Sequence, residues 1–312
     1  MFQKTTLDNR LRILTQTMPH TRSVSVLFLV NNFPYDSPGP SPYAGDLGVG
    51  PYQDFIDYAR GRGALVFWSH PEMTMQATVS GVELLTLPYT HHLRQSRGAT
   101  GLAVVYGDAR RAHLPGQLWD VLLGEYARGE RGQPTWGIGE VDFHGRPDSL
   151  RQVETVLMLR EVSADEVIGA LGSGRCYARA GRGGRRLCLD EFVARDAASG
   201  EEARSGEELR SMGPVSVLVE GSTEQGPETP PGTEGREGTV TLVRNGRVVR
   251  TAPFRENFQI RLREDLPGGV TWYRVLVEHP ASGELTSNPI FVRGPERDAG
   301  VRSGEPGLKE QP

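Results

Sequence analysis

Apolar and polar positions alternate along this chain in short bursts, and the period of each burst predicts an element. Residues 11–14 (Leu-Arg-Ile-Leu) and 23–28 (Ser-Val-Ser-Val-Leu-Phe) alternate with the period of two that marks half-buried strands. Residues 31–52 then interrupt the pattern with Pro34, Pro38, Pro40, Pro42 and Pro51, so no regular element is expected there. Pro51 opens a short amphipathic helix over 52–59 with Phe55, Ile56 and Ala59 on one side, ended by Gly61 and Gly63. The run Ala64-Leu65-Val66-Phe67-Trp68 is continuously apolar, which suits a strand covered on both faces, as in a parallel sheet. Similar runs follow at 80–85, 102–106, 136–142 and 154–159, with a helix predicted over 118–127. Ser163 and Glu166 have capping-box spacing and start a helix over 166–171, stopped by Gly172 and Gly174. Strand and helix alternate through this half, which predicts an α/β fold.

After residue 196 the texture changes. Residues 197–213 are rich in Gly, Glu, Arg and Ser, and alternation returns at 215–219, 239–243, 258–262, 271–277 and 290–292 without intervening helices. Asn245-Gly246 lies between two alternating stretches and is the strongest short-range hairpin signal in the chain. A small C-terminal β-sandwich is expected over 197–293, with a Pro/Glu/Gly loop at 221–238 and a charged, disordered tail at 294–312.

Composition narrows the function. Lys+Arg 35 against Asp+Glu 39 gives a net charge of -4, so no overall basic field exists to hold a nucleic acid. The apolar run at 26–30 is far short of the roughly 18 residues a membrane span needs and lacks a leader cleavage site, which points to a cytoplasmic protein without a membrane partner. Cys176 and Cys188 are too few for a disulfide framework and too far apart for a thiolate zinc site, and are expected as reduced thiols. Gly 39 and Pro 22 make up about a fifth of the chain and exclude an all-helical bundle.

The candidate chemistry lies at strand ends. His70 directly follows one apolar run, and Asp142 and His144 sit two apart at the end of another, so both can face one metal ion. The alternative is that these are polar residues that end strands, with Asp142 capping a turn. His91 and His92 are expected in a surface loop, His113 in a solvated turn, and His20 and His279 in turns. Arg175, Arg179, Arg182, Arg185 and Arg186 are interleaved with glycines and read as a solvated loop rather than an anion site.

Val66-Phe67-Trp68-Ser69-His70-Pro71, Gly81-Val82-Glu83, Gly139-Glu140-Val141-Asp142-Phe143-His144-Gly145 and the segment 167–178 together resemble the later motifs of the polymerase and histidinol phosphatase (PHP) superfamily, nearest its carbaryl-hydrolase-like metallohydrolases. Ser287-Asn288-Pro289-Ile290-Phe291-Val292 is similar to the close of that branch's β-domain. The resemblance implies a (β/α) barrel, a divalent metal (Zn, Mn or Fe) on His70, Asp142 and His144 with Glu83 as a pocket residue or ligand, and a small-molecule ester or phosphoester as substrate. The His-x-His pair that opens the family's site is absent, so the barrel is expected to be incomplete and its activity reduced or lost. Residues 2–30 instead resemble the N-terminal strands of the mitochondrial-processing-peptidase and insulinase family, without its His-x-x-Glu-His and with Arg10 in place of a usual Gly.

The simplest account is a chimera joined near Val30: peptidase-like strands over 1–30, a partial PHP-like domain over 31–196 whose open edge the new strands could pair with, and the sandwich beyond. Three functions follow: a metal-dependent hydrolase, a non-catalytic degenerate scaffold with a β-sandwich binding module, and a fragment of a zinc-peptidase family.

Overall fold

A computed structural model describes residues 3–7, 27–30, 49–72, 75–79, 82–86, 90–106, 112–141, 153–181, 184–225, 236–266 and 268–295. The expected strand at 11–14, the join at 31–48, most of the loop at 221–238 and the tail from 296 lie outside them. The first half carries β1 (Gln3–Leu7), β2 (Leu27–Val30), α1 (Gly50–Arg60), β3 (Leu65–Trp68), β4 (Met75–Val79), β5 (Val82–Thr86), α2 (Thr90–Gln95), β6 (Gly101–Val105), α3 (Leu118–Ala127) and β7 (Trp136–Gly139). Next come β8 (Val153–Leu159), α4 (Ala164–Ser173) and β9 (Cys176–Ala180). The rest is strand: β10 (Arg185–Asp196), β11 (Glu202–Arg204), β12 (Glu208–Arg210), β13 (Val215–Gln225), β14 (Gly238–Arg244), β15 (Arg247–Phe254), β16 (Asn257–Glu264), β17 (Val270–His279), β18 (Gly283–Ser287) and β19 (Ile290–Arg293).

Local chemistry sets several boundaries where the residue pattern places them. Pro51 lies in the first turn of α1, and Gly61 caps its end. Ser163 accepts the Glu166 backbone N–H at 3.3 Å, and Gly174 closes α4 at φ 73°. Asn245 and Gly246 turn β14 into β15 with φ 50° and 78°, the paired positive angles of a type I′ turn.

β2, β3, β6 and β7 form a parallel sheet in that order. All five residues of β6 are buried, as expected of a strand covered on both faces. Trp119 and Leu122 of α3 and Tyr52 and Ile56 of α1 share one core with Val66, Leu102 and Val104. Gly137 is held to the smallest residue because a Cβ there would lie 2.7 Å from the Trp119 ring.

The structure overturns the α/β reading with an incomplete PHP-type barrel. The chain is mostly β, with four helices among the described residues, and no sheet closes into a barrel. The parallel sheet stops at β7. β8 and β9 are joined by a helix, as barrel strands would be, yet they pair antiparallel with each other. β9 then pairs with β18, so both strands enter a nine-stranded sheet ordered β1-β8-β9-β18-β17-β14-β15, with β19 on β17 and β12 on β19. The physical reason is that a continuous apolar run signals two covered faces and carries no strand direction. A central antiparallel strand between two layers meets that condition as well as a barrel strand does.

The two covering layers are visible along β17. Tyr273, Val275 and Val277 face a second sheet, β11-β10-β13-β16, and share a core with Leu187, Leu189, Phe192, Val217 and Val219. Trp272 lies on the other face, in the core of Trp119 and Leu122. β1 pairs with β8 at the edge of the nine-stranded sheet and β2 with β3 at the edge of the parallel sheet, so neither closes the edge of a barrel.

Two polar devices tie the layers together. Arg274 of β17 is fully buried and makes a two-pronged ion pair with Asp120 of α3, Nε to Oδ1 at 2.6 Å and Nη2 to Oδ2 at 2.9 Å, with its guanidinium 5.2 Å from the Trp119 ring. The Asn288 amide accepts the Gly137 N–H at 2.7 Å and donates to the carbonyls of Gly137 (2.9 Å) and Cys176 (3.1 Å), which stitches β7 to β9.

Truncating Asp120 strands a buried guanidinium, so Asp120→Ala should cost about 3–5 kcal/mol in urea unfolding, and Asp120→Ala with Arg274→Met should recover part of it. A loss below about 1 kcal/mol would contradict a desolvated pair. Both cysteines are buried, and burial pushes the Cys176 thiol up to about 12 and the Cys188 thiol up to about 11. A thiol-reactive disulfide dye at pH 8 should therefore label neither in the native state, and labelling should follow unfolding.

Candidate functional site

In a parallel sheet the carboxyl ends of the strands point the same way, and the first residues beyond them share one edge. Here β3 is followed by Ser69 and His70, β6 by Tyr106 and β7 by Glu140. The Glu140 N–H donates to the Val105 carbonyl at 2.9 Å, which extends the β6–β7 pairing by one step and fixes the carboxylate over the sheet edge. Its Oε2 accepts the His70 backbone N–H at 3.1 Å and lies 3.2 Å from His70 Nδ1. Both residues are buried. His70 holds φ at +22°, outside the usual range for a residue with a Cβ, and the double contact to Glu140 keeps it there.

A second pair adjoins the first. The Tyr106 hydroxyl donates to Glu72 Oε2 at 3.2 Å and accepts the Glu72 N–H at 3.2 Å, while the same Glu72 oxygen accepts the Ala112 N–H at 2.6 Å. Burial, followed by the Glu72 charge, raises the Tyr106 pKa strongly, so the phenol stays protonated. The Tyr106 and His70 rings are 6.1 Å apart. Ser69 Oγ and Trp68 Nε1 are buried beside His70 and make no hydrogen bond among the described residues. A neutral His70 that donates Nδ1–H to the Glu140 carboxylate carries its lone pair on Nε2. That tautomer serves a metal ligand or a general base.

Of the residues chosen from the sequence, His70 stands at this edge. Asp142 and His144 lie outside the described residues, beyond Val141. Glu83 is carried by the hairpin β4–β5, a sheet of its own, in register with Thr78. Glu140, Glu72 and Tyr106 were not chosen, although their signal was present: Tyr106 and Glu140 are the first residues after buried strands. For the divalent metal, the described residues contain no group of three His, Cys, Asp or Glu close enough together to hold an ion.

Three of the other histidines depart from the expectation of surface loops and turns, whereas His91 is exposed on α2 and His20 lies outside the described residues. His92 is buried on α2 with its ring 5.2 Å from that of Tyr52, and His113 is buried ahead of α3. His279 ends β17; its Nδ1 accepts the Ala281 N–H at 3.2 Å, its Nε2 lies 3.1 Å from the Arg236 carbonyl, and burial lowers its pKa. Nor do Arg179, Arg185 and Arg186 sit in a solvated loop, while Arg182 lies outside the described residues. Arg179 Nε and Arg186 grip opposite oxygens of Glu154 at 2.7 and 3.3 Å, and Arg185 is buried with Nε and Nη1 making no hydrogen bond among the described residues.

No helix of the described residues is long and apolar enough to cross a membrane. No protein-family model matches the chain, and no curated protein does.

Because Glu140 is the acceptor for both the backbone and the ring of His70, Glu140→Ala should cost about 1–3 kcal/mol in denaturant unfolding, and Glu140→Gln, which keeps an acceptor oxygen, should cost less. Equal losses in the two variants would show that packing rather than hydrogen bonding holds the site.

Proposed function

We propose that the chain is a metal-dependent hydrolase of ester or phosphoester bonds, with its site at the carboxyl edge of the parallel sheet. The observation that supports this most is the carboxylate behind the imidazole, Glu140 Oε2 at 3.2 Å from His70 Nδ1. Histidines that bind metal ordinarily donate their second ring N–H to such a group, which fixes the tautomer and raises the basicity of the ligating nitrogen.

The residues present fit one ligand position with its support. The remaining donors in this reading are Asp142 and His144, which follow Glu140 by two and four residues. A divalent ion held there would lower the pKa of a bound water and polarise the scissile ester or phosphoester. In this reading His70 would bind through Nε2 with Glu140 orienting it, while the Tyr106 O–H is given to Glu72 and holds that carboxylate beside the site. A non-catalytic scaffold is the second reading.

Elemental analysis of the purified full chain separates the two. The hydrolase reading expects near-stoichiometric Zn, Mn or Fe, lost in His70→Ala and His144→Ala, with affinity about 10–100-fold weaker in Glu140→Ala. It also expects metal-dependent cleavage of p-nitrophenyl acetate or bis(p-nitrophenyl) phosphate. Protein that takes up none of these metals, with a melting temperature that does not respond to them, would overturn it.

A further inference from the structure

We propose that Arg185 and Ser282, at one end of the sandwich and separate from the His70 edge, bind the carboxylate of a small organic acid. Four arginines among the described residues are buried, and three of them meet a carboxylate. Arg131 Nε lies 2.7 Å from Glu125, Arg179 Nε 2.7 Å from Glu154 and Arg274 Nε 2.6 Å from Asp120. Arg185 is the exception. It is 4% exposed, and neither its Nε nor its Nη1 makes a hydrogen bond among the described residues. A guanidinium out of water without a counter-charge is strongly unfavourable, so a chain that matches its other three leaves this one for an anion that it does not itself supply.

The Ser282 hydroxyl points to a ligand independently. Ser282 is fully buried in the turn after β17, and its Oγ also makes no hydrogen bond among the described residues. Buried hydroxyls are nearly always bonded. This turn packs against the one that leads into β10. A Cβ on Gly283 would lie 1.9 Å from the Ala180 carbonyl oxygen and 3.3 Å from the Gly181 carbonyl carbon, and a Cβ on Gly181 would lie 3.2 Å from the Arg185 carbonyl oxygen. His279 links the two residues: its carbonyl accepts the Ser282 N–H at 3.1 Å, and the Arg185 charge acts on its ring.

The surroundings select a singly charged anion. Arg185 shares a face of β10 with Leu187 and Leu189, and His279 shares a face of β17 with Val275 and Val277, so both look into the space between the two sheets. Glu278 and Glu284 emerge on the opposite face of the nine-stranded sheet, since their neighbours Val277 and Leu285 face the sandwich. Burial lowers the His279 pKa and the charges of Arg185 and Arg236 lower it further, so its ring adds no positive charge. Its Nδ1 and Nε2 are engaged by the Ala281 N–H and the Arg236 carbonyl, which leaves the guanidinium and the Ser282 hydroxyl as the donors. One buried positive charge balances one negative charge. A planar carboxylate accepts two N–H groups along an edge of the guanidinium and takes the hydroxyl as a third donor. A phosphate dianion would leave its second charge buried without a partner.

Calorimetric titration and thermal unfolding of the full chain with sodium acetate test the site, with sodium chloride of equal ionic strength and sodium phosphate as comparators. Acetate is expected to bind saturably and, at a hundredfold excess over its Kd, to raise the melting temperature by about 3–6 °C. Arg185→Met should abolish both effects and, without acetate, should melt higher than the parent, because the buried charge is gone. Ser282→Ala should bind acetate about tenfold more weakly, and His70→Ala should bind it unchanged. No saturable binding of acetate, equal binding by Arg185→Met, or phosphate bound more tightly than acetate would each overturn the proposal. So would a melting temperature that falls in Glu228→Gln or Glu234→Gln and does not respond to acetate in the parent, since the chain would then supply the carboxylate itself.

Discussion

The two-sided burial of β17 is the constraint on which the rest of this structure depends. A strand in an antiparallel sandwich normally shows one face to water, and its odd and even residues differ accordingly. β17 is buried from Thr271 through Val277 without a break, because one face meets the second sheet and the other meets α3 and the parallel sheet. An arginine in the middle of such a strand is costly unless its charge is met. Asp120 meets it, and in doing so fixes where α3, and with it the parallel sheet, sits against the sandwich. The molecule is therefore layered around one strand, whose two faces belong to two different cores.

That arrangement determines where chemistry can occur. A closed barrel gathers ligands from all its strands around one mouth, whereas an open sheet of four strands offers a short edge. On this edge the polar residues face inward to each other. Glu140 supports His70, Glu72 supports Tyr106, and each carboxylate is engaged by at least one backbone N–H. Such wiring gives a preorganised imidazole, which is the property a ligand or base needs.

Much of the secondary structure was legible in the sequence, because its signals are local. The α4 cap depends on Ser163 and Glu166 alone, and the β14–β15 turn depends on Asn245 and Gly246 alone. The fold was not legible, because pairing partners are set by distant residues. Nothing within 153–159 reveals that β8 will run antiparallel beside β9 rather than join β7. The site was half legible for a related reason. His70 stood out at a strand end, but Glu140 was passed over for Asp142, since identifying it requires the knowledge that β3 and β7 flank β6 in one sheet. His113 and Arg185 misled in the opposite sense: charged and glycine-rich surroundings suggested solvent, while the layers folded over both.

The ties that hold the layers together also impose an order of events during synthesis. Asp120 waits for Arg274, 154 residues later, and Gly137 waits for Asn288, 151 residues later. Contacts so far apart in the chain close slowly, since their loop entropy is lost before any stabilisation returns. A ribosome that has released the parallel sheet has made a layer whose inner face, with Trp119 at its centre, has nothing to lie on until β17 to β19 emerge. Residues 270–293 thus complete the core that the parallel sheet and its helices begin. A nascent chain stalled before them would present that apolar face to chaperones.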